Sequence, residues 1–287
     1  MRRSRYDHRK EDRTTMDFRA DDIEYQRQDG QPLLARLYQP IGPGPFPAVL
    51  EVHGGAWTGG DRFNNVVIAE ALAADGIVVM SIDFRMPPVA GYPDTIGDVN
   101  LGIRWLKANA DKFHSRADLV GGLGSSSGGH MLLLSALRPN DQRYAKLALP
   151  GSAVDASLRF AIGCWPVADP LQRYQVKKAA GQERFVIAHN KFWPSEAAMA
   201  EGSPTLILGR GEAVAKPPML IMQGTADDNL TPDMADNFAA AYTKAGGAIR
   251  KEIFAGEPHA FISAKPTAPN TLRALDIIKT FVHEHAG

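Results

Sequence analysis

The stretch Asp118–Leu134, DLVGGLGSSSGGHMLLL, decides how this chain is read. Leu119, Val120 and Leu123 form a short apolar, β-prone run. Gly124 and Gly128 then stand two residues before and two residues after Ser126. The run Met131 to Leu137 that follows is apolar and rich in good helix formers. Strand, Gly-x-Ser-x-Gly, helix is the context of a nucleophile elbow. The requirement is steric. A serine on so tight a turn adopts a strained backbone, and a Cβ at either flank would strike neighbouring chain. Such a turn lifts the Ser126 hydroxyl above a sheet edge and aims the N–H of Ser127 at the same point. Three fixed letters alone are weak evidence, since chance supplies them in about one chain in ten of this length. Ser125 and Ser127 lack the paired glycines, so Ser126 is the candidate and its partners must be sought elsewhere.

Working outward, strands alternate with helices. Leu33–Gln39 and Ala48–Val52 read as strands, with the turn-rich Gly42–Pro47 between them. Ile77–Ile82 reads as a fully buried strand. Asp94–Ala110 carries Ile96, Val99, Ile103 and Leu106 on one helical face. Later strands are expected at Arg159–Cys164, Met219–Gln223 and Ile249–Phe254, with helices at Asn64–Asp75, Thr231–Ala245 and Thr267–His285. This alternation predicts an α/β fold with a mostly parallel central sheet and helices on both faces. Residues 26–287 are assigned to that domain. Residues 1–25, charged and poorly patterned, are expected to be a mobile arm or a short helix lying over it. Between about 165 and 217 no strand is evident and aromatics gather: Trp165, Phe185, Phe192 and Trp193. An insertion at that end of the sheet is expected to form a small cap.

Composition narrows the function. The chain has 287 residues, 44% of them hydrophobic, and a formal net charge of zero. That is enough to bury a sizeable core, and it provides no basic field for nucleic acid or an anionic membrane surface. Cys164 is the one cysteine, so neither an intrachain disulfide nor a cysteine metal site is expected. The first thirty residues balance eight basic against eight acidic side chains, and no apolar run is long enough to span a bilayer. A cytoplasmic enzyme is the expectation.

A serine that attacks an acyl group needs a base, a group that orients the base, and donors for the oxyanion. His53-Gly54-Gly55-Ala56 follows a buried strand, and its glycines let backbone N–H groups approach closely. Met219–Gln223 runs into Gly224-Thr225-Ala226-Asp227-Asp228-Asn229, placing a carboxylate just past a strand end, where open α/β sheets form their sites. Successive residues in an extended turn point apart, so only one of the two aspartates reaches a base. Ile249–Phe254 runs into Gly256-Glu257-Pro258-His259, the one histidine placed just past a late strand. The order Ser, Asp, His is that of α/β-hydrolases. Several other residues are read as structural: His53, His130, Cys164 and the Arg85, Asp94, Asp98 group. His189 and Glu196 fall in the expected cap and could touch substrate, but nothing in their spacing says so.

The chain resembles α/β-hydrolase-fold serine esterases of the hormone-sensitive-lipase-like and feruloyl- and acetyl-esterase-like groups. The resemblance runs from about Pro47 to Phe261. It rests on HGGAW at 53–57, GSSSGGH at 124–130, GTADDN at 224–229 and EPHAF at 257–261. It implies a serine hydrolase of carboxylic esters without cofactor or metal, with Ser126 as nucleophile, Asp227 as acid and His259 as base. Gly55, Ala56 and Ser127 are implied as oxyanion donors. The lipase-like group usually has a third glycine where Ala56 stands, and Asp and Ala where Ser125 and Ser127 stand, so the subgroup stays open. The expected partner is a small-molecule ester, and a homodimer is left open. Trp57, which follows the expected oxyanion loop, and Trp165, Phe185, Phe192 and Trp193 are expected to roof the site and favour short acyl chains; the alternative is that the same aromatics line a long apolar groove suited to lipids. GTADDN also resembles the acid-bearing segment of prolyl-oligopeptidase-type peptidases. A peptidase, a formamidase or lactonase, and a receptor without catalysis are the alternatives.

Overall fold

The computed structural model describes residues 15–28 and 30–286. Its strands are β1 (Phe18–Gln28), β2 (Gln31–Pro40), β3 (Ala48–Val52), β4 (Val78–Ile82), β5 (Val120–Ser125), β6 (Ala161–Cys164), β7 (Met219–Gly224) and β8 (Ile249–Phe254). They form one sheet in the order β1-β2-β4-β3-β5-β6-β7-β8. β2 is antiparallel to both its neighbours, and from β4 to β8 the pairing is parallel. β3, β4, β5 and β7 are buried at every residue. That is the pattern of a sheet covered on both faces, and it explains why these strands read as continuous apolar runs.

The covering helices are α1 (Val66–Ala73), α2 (Asp94–Ala108), α3 (Ser126–Leu137), α8 (Met234–Lys244) and α10 (Pro269–Ala286), with the short α9 (Phe261–Ala264) before the last. Ile96, Val99, Ile103 and Leu106 of α2 are fully buried, as the spacing predicts. All of α3 is buried, which is why it is apolar on every side. Between β6 and β7 lie four helices, α4 (Pro170–Ala179), α5 (Glu183–Phe192), α6 (Glu196–Glu201) and α7 (Pro204–Gly209). No helix among the described residues is long and apolar enough to cross a membrane.

One expectation is corrected. Residues 18–25 are not arm or helix but most of β1, an edge strand; residues 1–14 of the expected arm lie outside the described residues. The pairing skips Tyr25, and Phe18, Ala20, Ile23 and Tyr25 do not keep one parity. A bulge breaks the alternation that marks a strand in sequence. Arg62, from the loop after β3, fixes β1 in place through ion pairs to Asp22 (2.8 Å) and Asp83 (2.7 Å).

Candidate active site

Ser126 opens α3 directly from the end of β5, with φ of 52°. This is the left-handed region that a non-glycine residue adopts only when its surroundings enforce it. The enforcement is visible at both flanks. A Cβ on Gly124 would lie 2.6 Å from the carbonyl oxygen of Gly128. One on Gly128 would lie 2.2 Å from the carbonyl oxygens of both Val52 and His53. The elbow is therefore packed against the end of β3 and the loop that leaves it.

Beyond the next parallel strands, two further loops reach the same place. Asp227 follows β7 and His259 follows β8. His259 Nε2 lies 2.9 Å from Ser126 Oγ, and His259 Nδ1 lies 2.8 Å from Asp227 Oδ2. The other Asp227 oxygen accepts the N–H groups of Asn229 (2.8 Å) and Leu230 (3.0 Å). Burial works against the Asp227 charge, but the bond and charge of His259 and these N–H donors outweigh it, and the carboxyl stays below its ordinary range. With an ionised acceptor at Nδ1, the imidazole proton sits there, leaving Nε2 to accept from Ser126. Asp228 is exposed and turns away; its backbone carbonyl accepts from Lys177 Nζ at 2.5 Å.

The loop after β3 has an unusual backbone. Ala56 and Trp57 have φ of 52° and 61°, and Gly55 has 120°. A Cβ on Gly55 would lie 1.9 Å from the carbonyl oxygen of Gly59, so glycine is required there. Among the described residues, no group accepts from the N–H of Gly55 or Ala56. Ser127 holds the loop from the other side, its Oγ accepting the N–H of Trp57 at 3.1 Å. The three predicted donor positions thus meet at Ser126.

A cavity of about 370 Å³ opens here, bounded by Gly54 to Ala56, Ser126, His259, Trp165, Arg173 and Phe185. Trp165 flanks His259, with ring centroids 6.2 Å apart. The other aromatic expectations are placed differently. Trp57, Phe192 and Trp193 do not line the cavity. Trp57 is fully buried, stacked on Phe192 at 5.2 Å and edge-on to His130, His189 and Trp193. It joins the loop after β3 to the helices after β6 and is scaffold, not wall. Its indole N–H donates to His130 Nδ1 (3.2 Å), and His130 Nε2–H donates to the carbonyl of Gly202 (2.9 Å). Burial pulls the pKa of His130 down to about 4, and that of His189 likewise. Both are neutral structural groups. Glu196 pairs with Lys178 at the surface, and Asp98 is a buried partner of Arg85 (2.7 Å), also away from the cavity. Cys164 is buried at the end of β6, and burial raises its thiol pKa.

Sequence reasoning missed two features. Arg173 reaches the cavity from α4, and nothing in a lone helical arginine announces that. Glu51 on β3 sits fully buried behind the site, bonded by Asn65 Nδ2 at 2.5 Å, which also donates to Ser125 Oγ at 2.9 Å. Here a signal existed: one glutamate in the otherwise apolar strand Ala48–Val52.

A mostly parallel sheet, a strained serine after its central strand, and a carboxylate and a histidine on later loops define the α/β-hydrolase fold. A thermophilic esterase of Thermogutta terrifontis with propionate bound superposes with a TM-score of 0.73 over 92% of this chain and 94% of that one, at 23% identity. Residues 37–242 match the BD-FAE family model, and the chain belongs to that family. Among curated relatives, esterase LipC of Mycobacterium tuberculosis is 31% identical over 68% of this chain, which spans 47% of LipC, about half its length. The ethyl acetate hydrolase of Pseudomonas putida is 24% identical, with 84% of this chain and 75% of that protein covered.

Proposed function

We propose that the protein hydrolyses carboxylic esters through an acyl-enzyme on Ser126. The observation that carries this reading is the unbroken line from Ser126 Oγ through His259 to Asp227, at 2.9 and 2.8 Å. Ser126 Oγ forms a bond to the acyl carbon while its proton passes to His259 Nε2. Asp227 holds the Nδ1–H tautomer and offsets the imidazolium charge. The N–H groups of Gly55, Ala56 and Ser127 bind the oxyanion. Collapse breaks the bond to the alcohol, which takes the proton from His259. Water, activated by the same histidine, then releases the acid. No cofactor enters this scheme.

The helices after β6 act as a cap in this reading, with Trp165 and Phe185 closing the cavity wall. The modest cavity supports acyl groups of about two to four carbons. The ethyl acetate named for the Pseudomonas protein and the propionate bound to the Thermogutta protein point the same way. A receptor reading has no need of the aligned histidine. A cytoplasmic setting rests on composition alone.

The test is Ser126→Ala with a nitrophenyl-ester series and a fluorophosphonate probe. The wild-type chain should label at Ser126 and prefer acetyl to butyryl esters. The folded variant should neither label nor retain more than about a thousandth of kcat. Activity within tenfold of wild type would remove Ser126 from the mechanism, and an optimum at eight carbons or beyond would contradict the short pocket.

A further inference from the structure

Arg173 of α4 is 1% exposed and lies on the cavity that holds Ser126 and His259. Its hydrogen bonds are incomplete. Nε donates to the Asn229 carbonyl (3.1 Å) and Nη2 to Asn229 Oδ1 (2.6 Å). Nη1 is buried and, among the described residues, has no acceptor. Among the described residues no carboxylate pairs with it. Asp227 attracts it at a distance, but both Asp227 oxygens are committed, one to His259 and one to the N–H groups of Asn229 and Leu230. The ring faces of Phe185 (4.8 Å) and Trp57 (5.7 Å) offset part of the charge and offer no acceptor oxygen.

The surroundings strengthen the imbalance. Lys177 and Arg184 lie against the same Phe185 ring, at 4.9 and 4.5 Å. Three cations thus share one aromatic side chain at the cavity wall, and among the described residues none of the three forms a salt bridge. An arginine kept only to brace the Asn229 turn would use Nε and Nη2. Desolvating the Nη1 donors as well has a cost that nothing among the described residues returns. A planar guanidinium with free donors in a desolvated wall is a carboxylate-binding group.

We propose that Arg173 binds a carboxylate carried by the ester substrate, so that the preferred substrates are anionic esters and not simple neutral ones. This rests on the esterase reading of the site. The carboxylate meets the guanidinium at the cavity wall and draws on the spare donors of Nη1 as the wall adjusts around it, and Lys177 and Arg184 add a favourable field.

The experiment compares matched ester pairs that differ in one charge. Monomethyl succinate against methyl succinamate places the carboxylate on the acyl side. Acetoxyacetate against acetoxyacetamide places it on the alcohol side. Release of acid gives kcat and KM for each with wild type, Arg173→Gln and Arg173→Lys, folding being checked by circular dichroism. Wild type should favour the anionic member of one pair by about tenfold or more, chiefly in KM. Arg173→Gln should bring that ratio to about one, and Arg173→Lys should keep part of it. The wild-type ratio tests the proposal even where the glutamine variant fails to fold. Turnover of the neutral esters with no anionic preference overturns the role of Arg173 and leaves the esterase reading standing. Equal losses on charged and neutral esters in Arg173→Gln reduce Arg173 to a brace and overturn it too. No turnover of any of the four by wild type that still cleaves nitrophenyl acetate overturns this inference alone, and failure on nitrophenyl acetate as well overturns the esterase reading with it.

Discussion

Gly128 lies so close to His53 that a Cβ on the glycine would sit 2.2 Å from the histidine's carbonyl oxygen, and as close to that of Val52. The serine turn and the donor loop are therefore one packed unit. Gly128→Ala should cost about 1–3 kcal/mol or more, since the obstacle is backbone on both sides. Urea unfolding at neutral pH measures it. A variant of wild-type stability would mean that the loop yields freely.

The acid can be assigned by one pair of variants. Asp227→Asn keeps the shape of the side chain but favours the wrong imidazole tautomer, which in other triads costs about 10⁴ in kcat. Asp228→Asn should stay within about tenfold of wild type, because among the described residues only its backbone carbonyl is engaged, by Lys177. The reverse ranking would move the role to Asp228.

Trp57 separates scaffold from pocket. Trp57→Phe removes the donor to buried His130 Nδ1 and should destabilise by about 1–3 kcal/mol. The acyl-chain preference should not shift. A longer-chain optimum in this variant would place Trp57 in the pocket wall after all.

Two buried groups make opposite contributions to stability against pH. Burial raises Glu51 to about 7 from an unfolded value of 4.5, so the folded state holds its proton more tightly. Its contribution is fully present below pH 4.5 and is lost as pH rises through 7. Burial lowers His130 to about 4 from 6.5, so the unfolded state takes the proton first. The resulting loss of stability sets in as pH falls through 6.5 and is complete below 4. Each is worth about 2 kcal/mol between pH 5 and 7, with opposite signs, so they offset one another in the wild type. Glu51→Gln keeps the acceptor for Asn65; relative to wild type it should gain about 2 kcal/mol on going from pH 5 to 7. His130→Gln should lose a similar amount over the same interval. Unfolding of the three proteins at both pH values gives the differences, and parallel curves would show that neither group titrates as described.

The sequence by itself determined the parallel core, the strained turn at Ser126 and the chain order of Ser126, Asp227 and His259. The reason is that each is written locally. Buried strands are continuous apolar runs, and a turn that cannot hold a Cβ must be spelled with glycine. It did not reveal β1, whose bulge at Tyr25 breaks the alternation and whose placement depends on Asp22 meeting Arg62 from forty residues away. The spacing after Gly224 chose Asp227 over Asp228 as the expected acid, but it did not show where either side chain points, since neighbouring carboxylates differ only in the direction that the Gly224 turn gives them. That turn is fixed by tertiary contact: a Cβ on Gly224 would lie 2.0 Å from the carbonyl oxygen of Glu257, in the loop that carries His259. The same holds for the aromatics. Composition announced a cluster between 165 and 217. Only packing across the β6–β7 helices decided that Trp57, Phe192 and Trp193 pack against one another while Trp165, Phe185 and Arg173 face the cavity. Which side of a helix meets which loop is a property of contacts distant in sequence, and no local pattern encodes it.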